Sequence, residues 1–260
     1  MTIRNLLVLL VALWLTACAS SPEGIDSDNK DAAQLYKEAK EHLELANYEE
    51  AIKLYEKLES QYPYGNYATR SQLEIAYAYY KFDEGEAAIL AADRFIKLHP
   101  GHPHADYAYY LRGLASYNAA QNTFQKLFNQ DPAERDPKEA RRSFHYFAEL
   151  VKTFPKSRYL KDAIQRMTQI RNNLAKYEIY VASYYFKRGA YLAAANRAKY
   201  VIENYQQAPA QPDALVIMVE SYRELKLPDL ANDSLRVLEA NHPDHPELQS
   251  LRKSLQGKNS

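Results

Sequence analysis

The sequence predicts an all-α protein, a solenoid of five stacked helical hairpins, and three observations carry that expectation. A fixed spacing of small, aromatic and proline residues returns along the chain. Glycine is scarce, at 7 of 260 residues against 23 tyrosines, so few positions can take the positive φ of tight β-hairpin turns. In the longest stretch free of proline and glycine, apolar residues recur at helical spacing.

The first unit sets the spacing. Ala39 is followed three residues later by His42, twelve later by Ala51, and twelve after that by Pro63. Ala76, Tyr79, Ala88 and Pro100 repeat it, as do Val219, Tyr222, Ala231 and Pro243. A fourth set, Ala182, Tyr185, Ala194 and Gln206, lacks only the proline. The middle unit keeps Gly113, Ser143 and Pro155, but 30 residues separate the first two instead of 12, so 18 are inserted. Five positions before each end point stands an apolar residue: Leu58, Phe95, Leu150, Val201 and Leu238. Small side chains let two helices approach closely, and proline ends the second one. A single hairpin cannot bury its apolar face, so neighbours stack into a continuous core.

The spacing resembles the tetratricopeptide repeat. It departs in lacking a Trp in the first helix and in the 37 residues from Pro63 to Pro100, against about 34 in that family. The expected tetratricopeptide-like repeats cover about 32–65, 69–102, 106–157 with an insertion at 118–137, 160–208 with an extended first helix, and 212–245. They form a solenoid over 31–256, and a C-terminal helix and tail occupy 246–260. The extended helix is predicted from about Leu160 to Phe186, where Ile164, Met167, Ile170 and Leu174 share a face.

The N-terminus reads as a targeting segment. Arg4 precedes ten apolar residues, Leu6 to Leu15, as in a signal peptide over 1–17. That run is too short to span a bilayer, which takes about 20 residues. Leu15-Thr16-Ala17-Cys18 resembles the bacterial lipobox, which implies that Cys18 carries a diacylglycerol after cleavage. The competing reading is an incidental free or buried thiol. Residues 18–30 then form the lipidated N-terminus and a polar, flexible tether. Ala19, in place of Asp, after the cysteine implies sorting to the outer membrane, with the folded part facing the periplasm. Because Cys18 is the lone cysteine, no internal disulfide can form.

Charge and motifs exclude several function classes. The 33 basic and 33 acidic residues balance, so no nucleic-acid partner is expected. No Gly-rich phosphate loop or nucleophile elbow occurs, and no catalytic residue or cofactor is assigned. His99, His102, His104 and Asp106 invite a metal reading, but they fall in a turn fixed by Pro100 and Pro103 and form no i, i+4 helical pair. His242 and His245 fill the equivalent turn of the last unit, so a solvated repeat junction is favoured and no metal is assigned.

Aromatics and arginines are the candidate binding residues. Tyr62, Tyr64, Tyr67 and Tyr79 could line a groove for an extended peptide, since Tyr offers an apolar face and a hydroxyl at low entropic cost; a place in the core is the competing reading for most of the tyrosines in these stretches. Arg70 and Arg94 could pair with its terminal carboxylate. For both arginines a merely solvated surface role is the competing reading. In the insertion, Phe124, Leu127 and Phe128 share one helical face and either cap the solenoid or form a docking ridge.

Longer motifs narrow the resemblance. "YPYGNY", "YAYYK", "RFIKLHPGHP", "DYAYYLRGL", "RDPKEARRSF", "LAKYE" and "RGAY" together resemble the BamD (ComL) family, lipoproteins of the outer-membrane β-barrel assembly machine. The resemblance implies a non-enzymatic protein with five such repeats. It also implies partners: the periplasmic POTRA domain of BamA nearest the membrane, in some bacteria BamC and BamE, and the C-terminal signals of unfolded outer-membrane proteins. It places the peptide site in the N-terminal half and the BamA-facing surface around "RGAYLAAANR" and the fifth repeat, with Arg188, Arg197 and Tyr222 as contacts. The competing reading is a periplasmic lipoprotein scaffold or regulator of a peptidoglycan or other envelope enzyme.

Overall fold

The computed structural model describes residues 30–122 and 137–256. Within them every regular element is a helix. In chain order these are α1 (Ala32–Glu44), α2 (Tyr48–Gln61), α3 (Asn66–Lys81), α4 (Gly85–Leu98), α5 (Ala105–Asn122), α6 (Lys138–Thr153), α7 (Leu160–Lys187), α8 (Tyr191–Asn204), α9 (Gln211–Glu224), α10 (Pro228–Asn241) and α11 (Leu248–Gln256). Consecutive helices pack as hairpins, α1 with α2 through α9 with α10, and α11 closes the end against α9 and α10. First helices also touch one another, α1 with α3, α3 with α5 and α7 with α9, so the hairpins stack in one row.

The repeated small residues are the hairpin contacts. Ala39, Ala51, Ala76, Ala88, Ser143, Ala182, Ala194, Val219 and Ala231 are all fully buried, and so are the five apolar residues Leu58, Phe95, Leu150, Val201 and Leu238. In the third hairpin the approach is close enough for the Ser143 hydroxyl to donate to the Gly113 carbonyl at 3.0 Å. Each second helix ends at an aromatic or imidazole residue, Tyr62, His99, Phe154, Tyr205 or His242, whose N–H donates to that buried apolar residue's carbonyl at 2.8–3.0 Å. A following proline disfavours helical φ/ψ at the residue before it. Tyr205 stops at the same register although Gln206 follows.

α1 has a full capping box: the Asp31 carboxylate accepts from the Gln34 N–H at 2.8 Å and the Gln34 side chain accepts from the Asp31 N–H at 3.1 Å. Within four hairpins the turn is instead a repeated backbone device. The N–H groups of Asn47, Glu84, Ala190 and Leu227 donate to the carbonyls of His42, Tyr79, Tyr185 and Tyr222 at 2.9–3.0 Å, the six-to-one bond of a Schellman cap. The largest core cluster runs from Leu114 through Phe147, Ile170 and Ala198 to Ile217, so α7 binds the third, fourth and fifth hairpins into one body. Among the described residues no helix is long and apolar enough to cross a membrane.

Candidate functional site

The first-helix side carries a groove of about 360 Å³. Its walls come from four elements: Tyr36 of α1; Arg70, Leu73 and Glu74 of α3; Tyr107 of α5; and Arg158 with Tyr159 just before α7. His102 and His104, in the turn leading into α5, close its rim. The rings are held by one another. Tyr36 lies 5.4 Å from Tyr67 and 5.8 Å from Tyr55, Tyr107 lies 5.4 Å from Tyr159, and Tyr159 stacks on Tyr110 at 4.7 Å. Tyr110 in turn donates to Asp162 at the start of α7, and Arg166 donates to the same carboxylate at 2.6 Å. The aromatic wall is therefore fixed before any ligand arrives, which lowers the ordering cost of binding.

The charge balance of the groove is positive. Arg70 and Arg158 are exposed, and neither forms an ion pair with a described residue; Arg158 rests 5.5 Å from the Tyr159 ring centroid. The lone carboxylate on the wall, Glu74, is taken by Lys40 at 2.9 Å. Burial, and then the neighbouring Glu74 charge, raises the Tyr36 phenol above its ordinary pKa, and burial does the same to Tyr107. Both hydroxyls stay protonated at neutral pH and can donate. The arrangement suits an extended anionic segment with an aromatic side chain: rings for the ring, guanidinium groups for a carboxylate.

The structure does not bring the residues expected to form one peptide site together. Arg70 lines the groove, and Tyr67 supports it through Tyr36. Tyr64, 90% exposed, stands at the junction without a ring partner among the described residues. Tyr62 packs beside Leu35, Leu58 and Ala68 and donates its hydroxyl to the Lys30 carbonyl at 3.0 Å. Tyr79 and Arg94 line a second concavity of about 560 Å³ between α2, α3 and α4, on the second-helix side. There Tyr79 donates to Glu56 at 3.0 Å and Arg94 pairs with Glu59 at 3.5 Å.

In the C-terminal half, Arg188 is exposed and its guanidinium lies 5.1 Å from the Tyr184 ring. Arg197 is tied inward: it pairs with Glu178 at 2.9 Å, and Arg141 reaches the same carboxylate at 3.3 Å. Glu178 is 1% exposed, so its two arginines neutralise a buried charge. Tyr222 is buried beside Ala195 and Ala231 and offers a partner little surface. Cys18, Phe124, Leu127 and Phe128 lie outside the described residues.

Sequence reasoning did not assign Tyr36, Tyr107, Arg158 or Tyr159, and for His102 and His104 it weighed a metal site and favoured a solvated turn. His99 is engaged within the fold, its Nε2 2.7 Å from Gln72 Oε1. Among the described residues no cluster of three or more His, Cys, Asp or Glu could hold a metal ion. Arg112, in the "DYAYYLRGL" motif, proves to be a structural clasp. It sits between the Tyr109 and Tyr146 rings at 4.6 and 4.7 Å and pairs with Asp93 at 2.7 Å and Glu149 at 2.6 Å.

A row of stacked hairpins bearing a preformed groove on its first-helix side defines a helical-repeat scaffold. The chain belongs to the outer membrane lipoprotein family YfiO, whose profile matches residues 28–238. It is 46% identical over 250 residues to the outer membrane protein assembly factor BamD of Neisseria meningitidis serogroup B, covering 94% of this chain and 93% of that one. The proteins of the same name from Xylella fastidiosa (Temecula1) and Vibrio cholerae are 36% and 34% identical. They are matched over 95% and 93% of this chain and 85% and 99% of their own lengths.

Proposed function

We propose that this chain is a non-enzymatic assembly factor for outer-membrane proteins, held to the periplasmic face of the outer membrane by acyl chains on Cys18. In this reading it receives the C-terminal signal of an unfolded barrel protein and passes it to a BamA homologue through that protein's POTRA domain, with BamC and BamE homologues as accessory partners. The observation that carries the recognition step is the first-helix groove, where two arginines without an ion-pair partner among the described residues line a wall of fixed tyrosine rings. Anchoring confines groove and partner to one surface and raises their effective concentration.

A fluorescent peptide ending in an aromatic residue with a free carboxylate tests this directly. Arg70→Glu is expected to weaken its binding at least about tenfold, the worth of one charge-assisted hydrogen bond. Arg94→Glu, in the second concavity and already paired with Glu59, is expected to change it less than about threefold. The reverse order would move the tail to the second-helix side, and equal binding by both variants would remove the groove from the reading. Cys18→Ser should abolish acylation and leave the repeat domain folded, which mass spectrometry and circular dichroism would report.

A further inference from the structure

Two imidazoles, His102 and His104, stand beside Arg70 and Arg158 on the groove, and peptide recognition as described gives them no part. The His104 N–H donates to His102 Nδ1 at 3.1 Å, which leaves the proton of the neutral ring on Nε2. His102 meets Phe95 edge-on at 5.3 Å, and its ring lies 5.6 Å from His104 and 6.4 Å from His99. Burial, and then the charges of His104 and His99, hold its pKa below the ordinary imidazole value.

Two acids stand near this cluster, and both already have partners. Glu74 of α3 is held by Lys40 at 2.9 Å, and Asp106 of α5 accepts from Ser157 at 2.7 Å. The remaining ionisable groups on the walls are Arg70, Arg158 and the phenols of Tyr36, Tyr107 and Tyr159, none of which supplies negative charge near neutral pH. An anion entering the groove beside the imidazoles adds negative charge that favours their protonated form.

We infer that His102 and His104 form a proton-linked anion clamp, so that a peptide's C-terminal carboxylate binds in this groove with uptake of a proton. The inference rests on the tail-binding reading of the same groove. The sign follows from linkage. The carboxylate raises the imidazole pKa in the complex above its value in the free protein, so affinity grows as pH falls between those two values, by up to about tenfold per unit for one proton. A C-terminal carboxyl titrates near about 3.5 and stays ionised throughout. The groove thus holds its tail more firmly at mildly acidic than at neutral pH.

Titration calorimetry on the full mature chain tests this with a short peptide ending in phenylalanine, as free acid and as C-terminal amide. Binding is measured near pH 5.5 and pH 7.5, the range in which histidine titrates, in two buffers of different ionisation enthalpy. The acid is expected to bind about five- to tenfold tighter at the lower pH with net proton uptake, and the amide to change less than about twofold. His102→Gln with His104→Gln should bind the acid equally at both pH values, its fold being checked by circular dichroism. Acid binding that is independent of pH, an amide that shows the same ratio, or a double variant that keeps it would each overturn the clamp while leaving tail binding intact. If the double variant does not fold, wild-type binding without proton uptake overturns it. Failure of the free-acid peptide to bind at either pH overturns the tail-binding reading, and the clamp with it.

Discussion

Gly113 occupies the tightest helix contact in the molecule's third hairpin. A Cβ built there would fall 2.3–2.8 Å from three ring carbons of Phe147, and Phe147 is fully buried, so the ring has nowhere to go. Glycine costs a helix interior about 1 kcal/mol relative to alanine, and here that cost is accepted for the approach of α5 to α6. Gly113→Ala should therefore lose stability despite the better helix former. Overpacking of about 1–3 kcal/mol exceeds the propensity gain, and a lowered urea midpoint with unchanged slope would report it. The small residue was legible from its place in the repeat. That it must be glycine was not, because the demand comes from a ring 34 positions along the chain that only α6 brings near.

Among the elements, the turns inside the hairpins were the least legible. Ala46, Asp83, Gly189 and Lys226 stand seven residues after Ala39, Ala76, Ala182 and Val219, and all four have positive φ, between 60° and 75°. One device is thus repeated in four hairpins, yet only Gly189 carries the residue that makes such a turn visible in sequence. The aromatic that begins each turn was visible, and its carbonyl is the acceptor of the six-to-one bond. A non-glycine residue in this left-handed region costs roughly 1–2 kcal/mol, while glycine loosens the unfolded chain by about 0.5–1 kcal/mol. Lys226→Gly should therefore stabilise the protein by about 0.5 kcal/mol, and Gly189→Ala should destabilise it by a similar amount. Chemical denaturation of the two variants side by side checks the sign at each turn. The third hairpin differs because α5 runs on through Asn122, past the register at which the others turn.

For the whole molecule, what could be read locally differs from what assembly creates. Helix spacing, hairpin ends and the long uninterrupted stretch that becomes α7 are written in neighbouring residues. The groove is written in none, because Tyr36, Arg70, Tyr107 and Arg158 come from four elements. The same holds for Glu178, which lies among apolar residues of "YEIYVASYY" as an unremarkable carboxylate. It becomes a buried centre only because α6 and α8 bring Arg141 and Arg197 onto it. This decides how a partner surface in the C-terminal half must be tested. Charge reversal at Arg197 sets a second carboxylate against a buried one. Breaking a fully buried pair costs about 3–5 kcal/mol; with Arg197 45% exposed, about 2–3 kcal/mol is expected, or a melting temperature lower by roughly 5–10 °C. Loss of a copurifying BamA homologue from Arg197→Glu would then report a weakened fold as readily as a lost contact. Arg188, exposed and resting on the face of Tyr184 with no ion pair among the described residues, separates the two. Arg188→Glu should leave the melting temperature within about 2 °C, as expected for an exposed surface change, while reducing recovery of the partner several-fold. Undiminished recovery with Arg188→Glu would place the partner's contact elsewhere on the solenoid.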